Sequence, residues 1–462
     1  MKRQIQLTVG NDSGRSRIGS LAALTNLYAE AQANTSSQIP VSLINAPGTR
    51  KLFTVKGGIQ ITGFHATATK IFFTTRKGLY EITGTSYILR YAFNIVDRAS
   101  IADNGTIVIV VDGYSAHSYN MDNGATAVVD IPRSRSIIFI DGYFISVDVE
   151  TNRQRVSGFY TDVFNDPVNE ANCEGSPDNI QGVAPLNRQA ILFNQTSIEP
   201  WYVSGEDYPF NPNLSAFIDR GCYTPFSFCT NDNTVFWLGD DLRVYRLNGY
   251  SPEPISTHAI EYELSLYDCS EAYMLTSSQE GHDFVFLQIP SMKRTLVYDT
   301  ATRLWHYRTT GNGRHLSNTM ITVNGVTYVG SGDSATVSVF DSDIGNDNGI
   351  PIPRKMITPV DNYHGRVNSC ELILQHFNPP TPAKLSIDMT DAERLLNPEW
   401  PVIELSYTDD DGRSWSEPDP IQLEPNNELR AVWYKLGYPN RRSYKFETKA
   451  DMACIWAGVW LA

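Results

Sequence analysis

The feature that most constrains this chain is the return of short strand clusters at a nearly regular spacing. Runs of β-branched and aromatic residues recur along the first three quarters of the sequence, each closed by Gly, Asn or Asp. Lys70-Ile71-Phe72-Phe73-Thr74-Thr75 precedes Lys77-Gly78, Thr106–Val111 precedes Asp112-Gly113, and Ser136–Ile140 precedes Asp141-Gly142. Thr234–Leu238 runs into Gly239-Asp240-Asp241, Asp283–Leu287 follows, and Val326–Val329 ends at Gly330-Ser331-Gly332. Asp-Gly between two apolar runs is a strong hairpin signal, because a type I′ turn needs positive φ at both central residues. Clusters of such candidates begin near residues 57, 100, 136, 180, 217, 272 and 314, roughly 35 to 50 residues apart, the spacing of propeller blades.

One small antiparallel sheet cannot bury both of its faces alone, and radial stacking of several such sheets does. The expected fold class is all-β, with a β-propeller-like body of six or seven blades and a C-terminal β-sandwich-like domain. An array of β-sandwiches is the alternative that the same spacing leaves open. A length of 462 residues also exceeds what one core usually serves. Asp341–Pro359, rich in Asp, Asn, Gly and Pro, reads as a linker. The expected division is therefore an extended N-terminal segment over 1–35, the propeller-like body over 36–340, the linker over 341–359 and the sandwich-like domain over 360–462. In the last, Glu371–Leu374, Ala383–Ile387, Val402–Tyr407 and Ser443–Glu447 read as strands, with Trp433, Trp456 and Trp460 as core candidates. The best helix candidate is Ser256–Leu264, with Ser256 or Thr257 as N-cap.

Bulk properties exclude several classes of function. The chain carries 51 acidic against 37 basic residues, a net charge of −14, and no Lys/Arg cluster of the kind that neutralises DNA phosphates. A protein that grips nucleic acid is disfavoured, whereas an acidic one that DNA slides past is allowed. No run approaches the ~18 apolar residues of a membrane helix. Lys2 and Arg3 are followed by no apolar stretch, so neither a signal peptide nor an anchor is expected. The Asn-x-Ser/Thr sites at Asn34, Asn104, Asn194 and Asn213 then carry little weight. Cys173, Cys222, Cys229, Cys269, Cys370 and Cys454 are scattered and form no C-x-x-C, which points to free thiols rather than to zinc or a disulfide scaffold.

Motifs with chemical meaning are few. Thr408-Asp409-Asp410-Asp411-Gly412-Arg413-Ser414-Trp415 fits the Asp-box spacing, in which Asp410 accepts backbone N–H groups, Gly412 takes positive φ and Trp415 packs beneath the hairpin. This is a folding device. Its three carboxylates would bind calcium only with a complete oxygen shell. A sialidase or glycosidase reading needs two facing carboxylates, yet the acids here mostly sit in turns, and Ile131-Pro132-Arg133 reverses the Arg-Ile-Pro order of a sialidase. Gly330–Ala335 mimics a dinucleotide loop but is followed by the strand-like Thr336–Phe340. Gly14–Ser20 resembles a phosphate loop without its lysine, and Asp341-x-Asp343-x-Gly345 starts like a calcium loop but lacks the later Gly and Glu. His65, His117, His258, His282, His306, His315, His364 and His376 show no ligand-like spacing. No catalytic, cofactor-binding or metal residue is assigned.

The central third is more informative. Ala171–Asp178, Ser197–Tyr202, Phe217–Cys222, Asp232–Asp241, Val244–Tyr250, Ile255–Glu261, Gln279–His282, Val297–Asp299 and Leu304–His306 form a series that resembles the packaged-DNA stabilisation proteins of short-tailed bacteriophages, also called tail hub or nozzle proteins. Leu24–Glu30 and Asn45–Thr49 resemble that family's opening segments, and the Asp box and Trp433–Gly437 are looser points of similarity. The resemblance implies a virion tail protein, made in the host cytoplasm and without enzymatic activity. It further implies a homohexameric ring below the portal, bound to a head-to-tail adaptor, with a tailspike or fibre and a needle or plug protein as further partners. Double-stranded DNA would pass through without sequence-specific binding, and no membrane insertion or cofactor is implied. The alternative is a propeller glycosidase or carbohydrate-binding protein acting on host surface polysaccharide.

Overall fold

A computed structural model of the chain describes residues 2–16, 20–31, 41–164, 169–376, 401–423, 428–451 and 454–462. Seven four-stranded antiparallel units follow one another along the sequence. Their first strands are Ile61–Ala66, Ser100–Asp103, Ser134–Ile140, Ile180–Leu186, Phe228–Asn231, Tyr273–Gln279 and Ser317–Val323. Each first strand contacts the next, and the seventh returns to the first, so the units close into a propeller ring. The blade starts expected near 57, 100, 136, 180, 217, 272 and 314 fall on this series, with the fifth displaced most.

Blade order follows from local chemistry. The turns joining first and second strands in blades three to seven are two-residue turns with positive φ at both centres: Asp141-Gly142, Asn187-Arg188, Asp232-Asn233, Glu280-Gly281 and Asn324-Gly325. Asn, Asp and Gly tolerate that geometry at low cost. Asp112-Gly113, also a hairpin signal, builds a longer turn in which the Asp112 carboxylate accepts the Tyr114 and Ser115 N–H groups.

The ring exists because the middle strands are apolar on both faces. Every residue of Thr234–Leu238 is buried; Val235 and Trp237 pack toward blade four, Phe236 and Leu238 toward blade six. Ile107–Val111 divides in the same way between blades one and three. Close approach of the first strands needs small residues. A Cβ on Gly63 would stand 2.6 Å from the Ala99 carbonyl oxygen. Ser100 and Ser136 lie on first strands, and each hydroxyl bonds the backbone of the next blade, at Ile137 and Val183.

Strand pairing crosses each of the expected domain boundaries. The fourth strand of blade seven is Gly48–Thr54, which pairs with Thr336–Asp341 and so closes the ring with a segment from far upstream. Within 341–359 lie Asn346–Asp347, Ile350–Pro351 and Arg354–Ile357. The last pairs with Ala23–Thr25 on one edge and Ser443–Thr448 on the other. Ala23–Thr25 also pairs in parallel with the outer strand of blade six, Leu304–Thr310, so one ten-stranded sheet runs from that blade into the sandwich.

The sandwich core joins N-terminal and C-terminal residues, including Leu24, Leu27, Leu43, Leu372, Phe446, Trp433 and Trp456. Its second sheet sets Leu27–Ala31, Val41–Asn45, Cys454–Leu461, Ser369–His376 and Glu428–Tyr434 side by side, with Arg3–Ile5 at Cys454–Leu461. Trp460 is a correction to the expected core. Ala457 is an extra residue opposite Ile373-Leu374, and this bulge reverses the alternation, leaving Trp460 half-buried on the outer face. The helix forms at His258–Leu264, and its N-cap Thr257 accepts the Ile260 N–H. Ala383–Ile387 lies outside the described residues.

Candidate functional site

The Asp box folds as its residue types require. The Asp410 carboxylate accepts the Ser414 N–H at 2.9 Å and the Ser414 hydroxyl at 2.6 Å. The Thr408 hydroxyl donates to Asp410 at 2.8 Å and accepts the Gly412 N–H, with Gly412 at φ +77°. The bonds from Ser414 and Thr408 lower the Asp410 pKa to about 2. Its neighbours are taken as well: Asp409 receives both arms of the buried Arg442, and Asp411 pairs with Arg441. Trp415 is half-buried with Lys445 over its ring at 5.0 Å. It lies against the cleft between blade six and the sandwich.

A second constellation ties blades two, six and seven together. Arg98, from the loop entering blade two, donates to the Asn318 carbonyl and side-chain oxygens in blade seven. Its guanidinium lies 3.3 Å from the ring centre of Tyr273 in blade six. The Tyr273 hydroxyl accepts a bond from Arg314 at 2.7 Å. One side chain therefore clasps the blades across the closure of the ring. Burial pushes the Arg98 pKa down, against the nearby Tyr273 and Asp97.

A third lies at the junction of propeller and sandwich. Arg308 and Arg354 are buried, at 2% and 0% exposure, with buried Asp347 between them in sequence and in charge. Asp347 accepts from the Thr49 and Thr310 hydroxyls at 3.2 and 2.6 Å. Arg308 donates to the Pro47 carbonyl and Arg354 to the Ala450 carbonyl, leaving Nε and one terminal nitrogen of each without a hydrogen-bond partner among the described residues. Burial lowers the Arg308 pKa to about 10 and pushes that of Asp347 up. His315, buried alongside, is pushed well below its ordinary range by the same desolvation. An Arg in a strand and an Asp in a turn carry no local mark of this pairing, so neither it nor the Arg98 clasp is legible in the sequence.

The remaining flagged residues have local partners. Gly330–Ala335 spans a strand end and turn, and the strand Thr336–Asp341 follows it. Asp341 pairs with Arg50, and the Gly345 N–H is donated to Asp451. Part of Gly14–Ser20 lies outside the described residues, as does Asn34; Arg15 stands over the Tyr262 ring. His65 meets Asp103, His282 meets Asp299, His117 stacks on Phe93, and His306 is buried with its pKa lowered to about 3. The six cysteines are free, five of them buried. Among the described residues no three His, Cys, Asp or Glu side chains come together as a metal site, and no helix is long and apolar enough to cross a membrane.

A closed ring of seven four-stranded blades, its sheet continued into a second domain, defines a β-propeller scaffold with an attached sandwich. The chain belongs to the phage stabilisation family described as bacteriophage P22 Gp10, beta-propeller, whose model matches residues 3–345. It is a structural, DNA-stabilisation family of bacteriophage. No curated protein matches the chain.

Among solved structures, the extracellular domain of a hybrid two component system from B. thetaiotaomicron aligns at TM-score 0.45 and 9% identity, covering 71% of this chain and 42% of that one. This chain thus spans less than half the length of that protein. Virginiamycin B lyase from Staphylococcus aureus aligns at TM-score 0.44 and 8% identity, over 63% of this chain and 98% of the lyase. BamB from Moraxella catarrhalis aligns at 0.41 and 13%, over 74% and 98%. Likenesses at this level carry nothing about what the chain does.

Proposed function

We propose that the chain is a non-enzymatic building block of a short phage tail, the nozzle or hub below the portal. The observation that carries this reading is the family match over residues 3–345. In it, copies of the chain form a ring, six in number, seated on a head-to-tail adaptor. The ring retains packaged DNA, conducts it outward at ejection, and seats a tailspike or fibre and a needle or plug protein.

The architecture supports a scaffold role. A propeller whose closing strand comes from its own N-terminal region, and whose sheet continues into a second domain, is a rigid body. Exposed aromatic and apolar side chains at Phe159, Tyr160, Leu214, Tyr434 and Tyr438 supply apolar contact area for neighbours. The net charge of −14 per copy fits a passage that DNA crosses without adhering. The wall of such a passage is expected to be acidic or neutral, since cationic walls would hold DNA by counterion release.

Electron microscopy of DNA-filled heads from the same phage, mixed with the purified chain, tests this. The expected result is an added ring at one vertex. Failure to bind any portal–adaptor assembly, or turnover of host polysaccharide by the isolated chain, would overturn the reading.

A further inference from the structure

The cleft under the Asp box is built from opposite ends of the chain. Its floor is the bridging sheet, where Ala23, Thr25, Lys355 and Ile357 share one face, and its wall is Tyr307 and Arg294 of blade six. Ser13, Leu21, Gly412 and Trp415 border its open side, and the half-open cleft has a volume of about 230 Å³. Since a water molecule occupies roughly 30 Å³ of liquid, this is room for several waters or one small polyatomic ion.

Its electrostatics are one-sided. Lys355 is half-buried on the floor, and its ammonium has no hydrogen-bond or ion-pair partner among the described residues. Glu447 stands opposite it in strand register but beyond ion-pair distance. Arg294 is tied to Glu263 at 2.6 Å and lies over the Tyr307 ring at 4.1 Å. Lys445 sits at the far side of Trp415. Arg294 and Lys355 are the charged residues that line the cleft; Lys445 and three carboxylates, Glu263, Glu447 and its register partner Glu404, stand around them, with Glu263 spent on Arg294 and Tyr307. In a chain of net charge −14, a cleft whose charged lining residues are cations is against the background. Desolvation pushes the Lys355 pKa down, with Lys445 and Arg294 adding to the effect and Glu447 opposing it. A desolvated, crowded cation is relieved by an anion.

We propose that this cleft binds a small oxyanion, a carboxylate or a phosphate, anchored by Lys355, with the Thr25 and Ser13 hydroxyls at its walls and Trp415 as its cover. This gives the Asp box a consequence beyond its own turn: the box holds Gly412 and Trp415 over the cleft. The site is made by this chain's own residues and stands or falls apart from the tail reading.

The test is calorimetric titration of the full chain with sodium phosphate and, separately, sodium acetate, at fixed ionic strength in chloride. Saturable binding of at least one is expected. Lys355→Met should weaken it at least tenfold and Lys355→Arg should retain it, while Lys77→Met in a blade-one turn leaves it unchanged. Phosphate without acetate assigns the cleft to a phosphoryl group, and acetate without phosphate to the carboxylate of an acidic side chain or sugar. Linear isotherms for both anions, or equal binding by the correctly folded Lys355→Met protein, would overturn the proposal.

Discussion

His282 Nδ1 stands 2.8 Å from the Asp299 carboxylate in blade six, with both side chains almost fully buried. The hydrogen bond to Asp299 raises the His282 pKa against desolvation. Burial works against the Asp299 carboxylate, but bonds from His282 and Thr302 hold its pKa below the ordinary value. The histidine contribution is complete below about pH 6.5 and is lost as pH rises through its raised folded value. The aspartate contribution is complete above about pH 3.9 and is lost as pH falls through its lowered value. His282→Gln should cost about 2 kcal/mol between about pH 4 and 6.5 and less at pH 8. Urea unfolding of both proteins across that range checks the sign. An equal deficit at every pH would refute the charged pair.

The junction cluster separates two effects that burial alone would merge. Asp347→Asn removes the carboxylate that offsets Arg308 and, with Asp451, Arg354, and should cost about 3 kcal/mol or more, because the buried Arg308 guanidinium loses its counter-charge. Arg354→Met removes a cation with two unpartnered nitrogens and should cost no more than about 1 kcal/mol, or stabilise. Chemical denaturation of the two variants side by side decides it, and a reversed order would count against this assignment of charge.

Gly63→Ala places a methyl group 2.6 Å from a carbonyl oxygen that belongs to the next blade's entry, with no side chain to give way. A loss of about 1–3 kcal/mol is expected, with faster hydrogen exchange confined to blades one and two. Uniform loss of protection across all blades would show that the strain is not local.

Calcium should leave the melting temperature unchanged. Asp409 is engaged by Arg442, Asp410 by its own turn and Asp411 by Arg441, so a cation would have to break existing bonds before gaining an oxygen shell. A rise on adding millimolar calcium, reversed by chelation, would contradict this.

Removal of residues 1–54 should prevent cooperative folding of the remainder. It deletes the fourth strand of blade seven and four strands of the sandwich, Arg3–Ile5, Ala23–Thr25, Leu27–Ala31 and Val41–Asn45. Thermal scanning calorimetry of the truncated chain is expected to show no sharp transition. A native-like transition would mean that ring and sandwich close without it.

Much of the architecture is legible in the sequence, because β-strands and tight turns are local events. Unbroken β-branched and aromatic runs such as Ile107–Val111 and Thr234–Leu238, and turns such as Asp141-Gly142, mark where strands lie and where they reverse. The Asp box is legible for the same reason: Thr408, Asp410, Gly412 and Ser414 bond one another across a few residues.

Pairing between distant segments carries no such mark, since any strand edge offers the same N–H and C=O groups. Nothing local tells that Gly48–Thr54 completes blade seven, that Ala23–Thr25 joins blade six to the sandwich, or that one extra residue at Ala457 turns Trp460 outward. The same holds for the cleft, where Lys355 and Arg294 meet Trp415 only because the strand pairings of the bridging sheet bring them together. The sequence by itself determined the strands, their turns and the propeller class, all set by short-range sterics, apolar runs and the spacing at which they recur. Only the tertiary structure decided how the ring closes, what it is joined to and which charges share a cavity, because those depend on the burial free energy of contacts hundreds of residues apart.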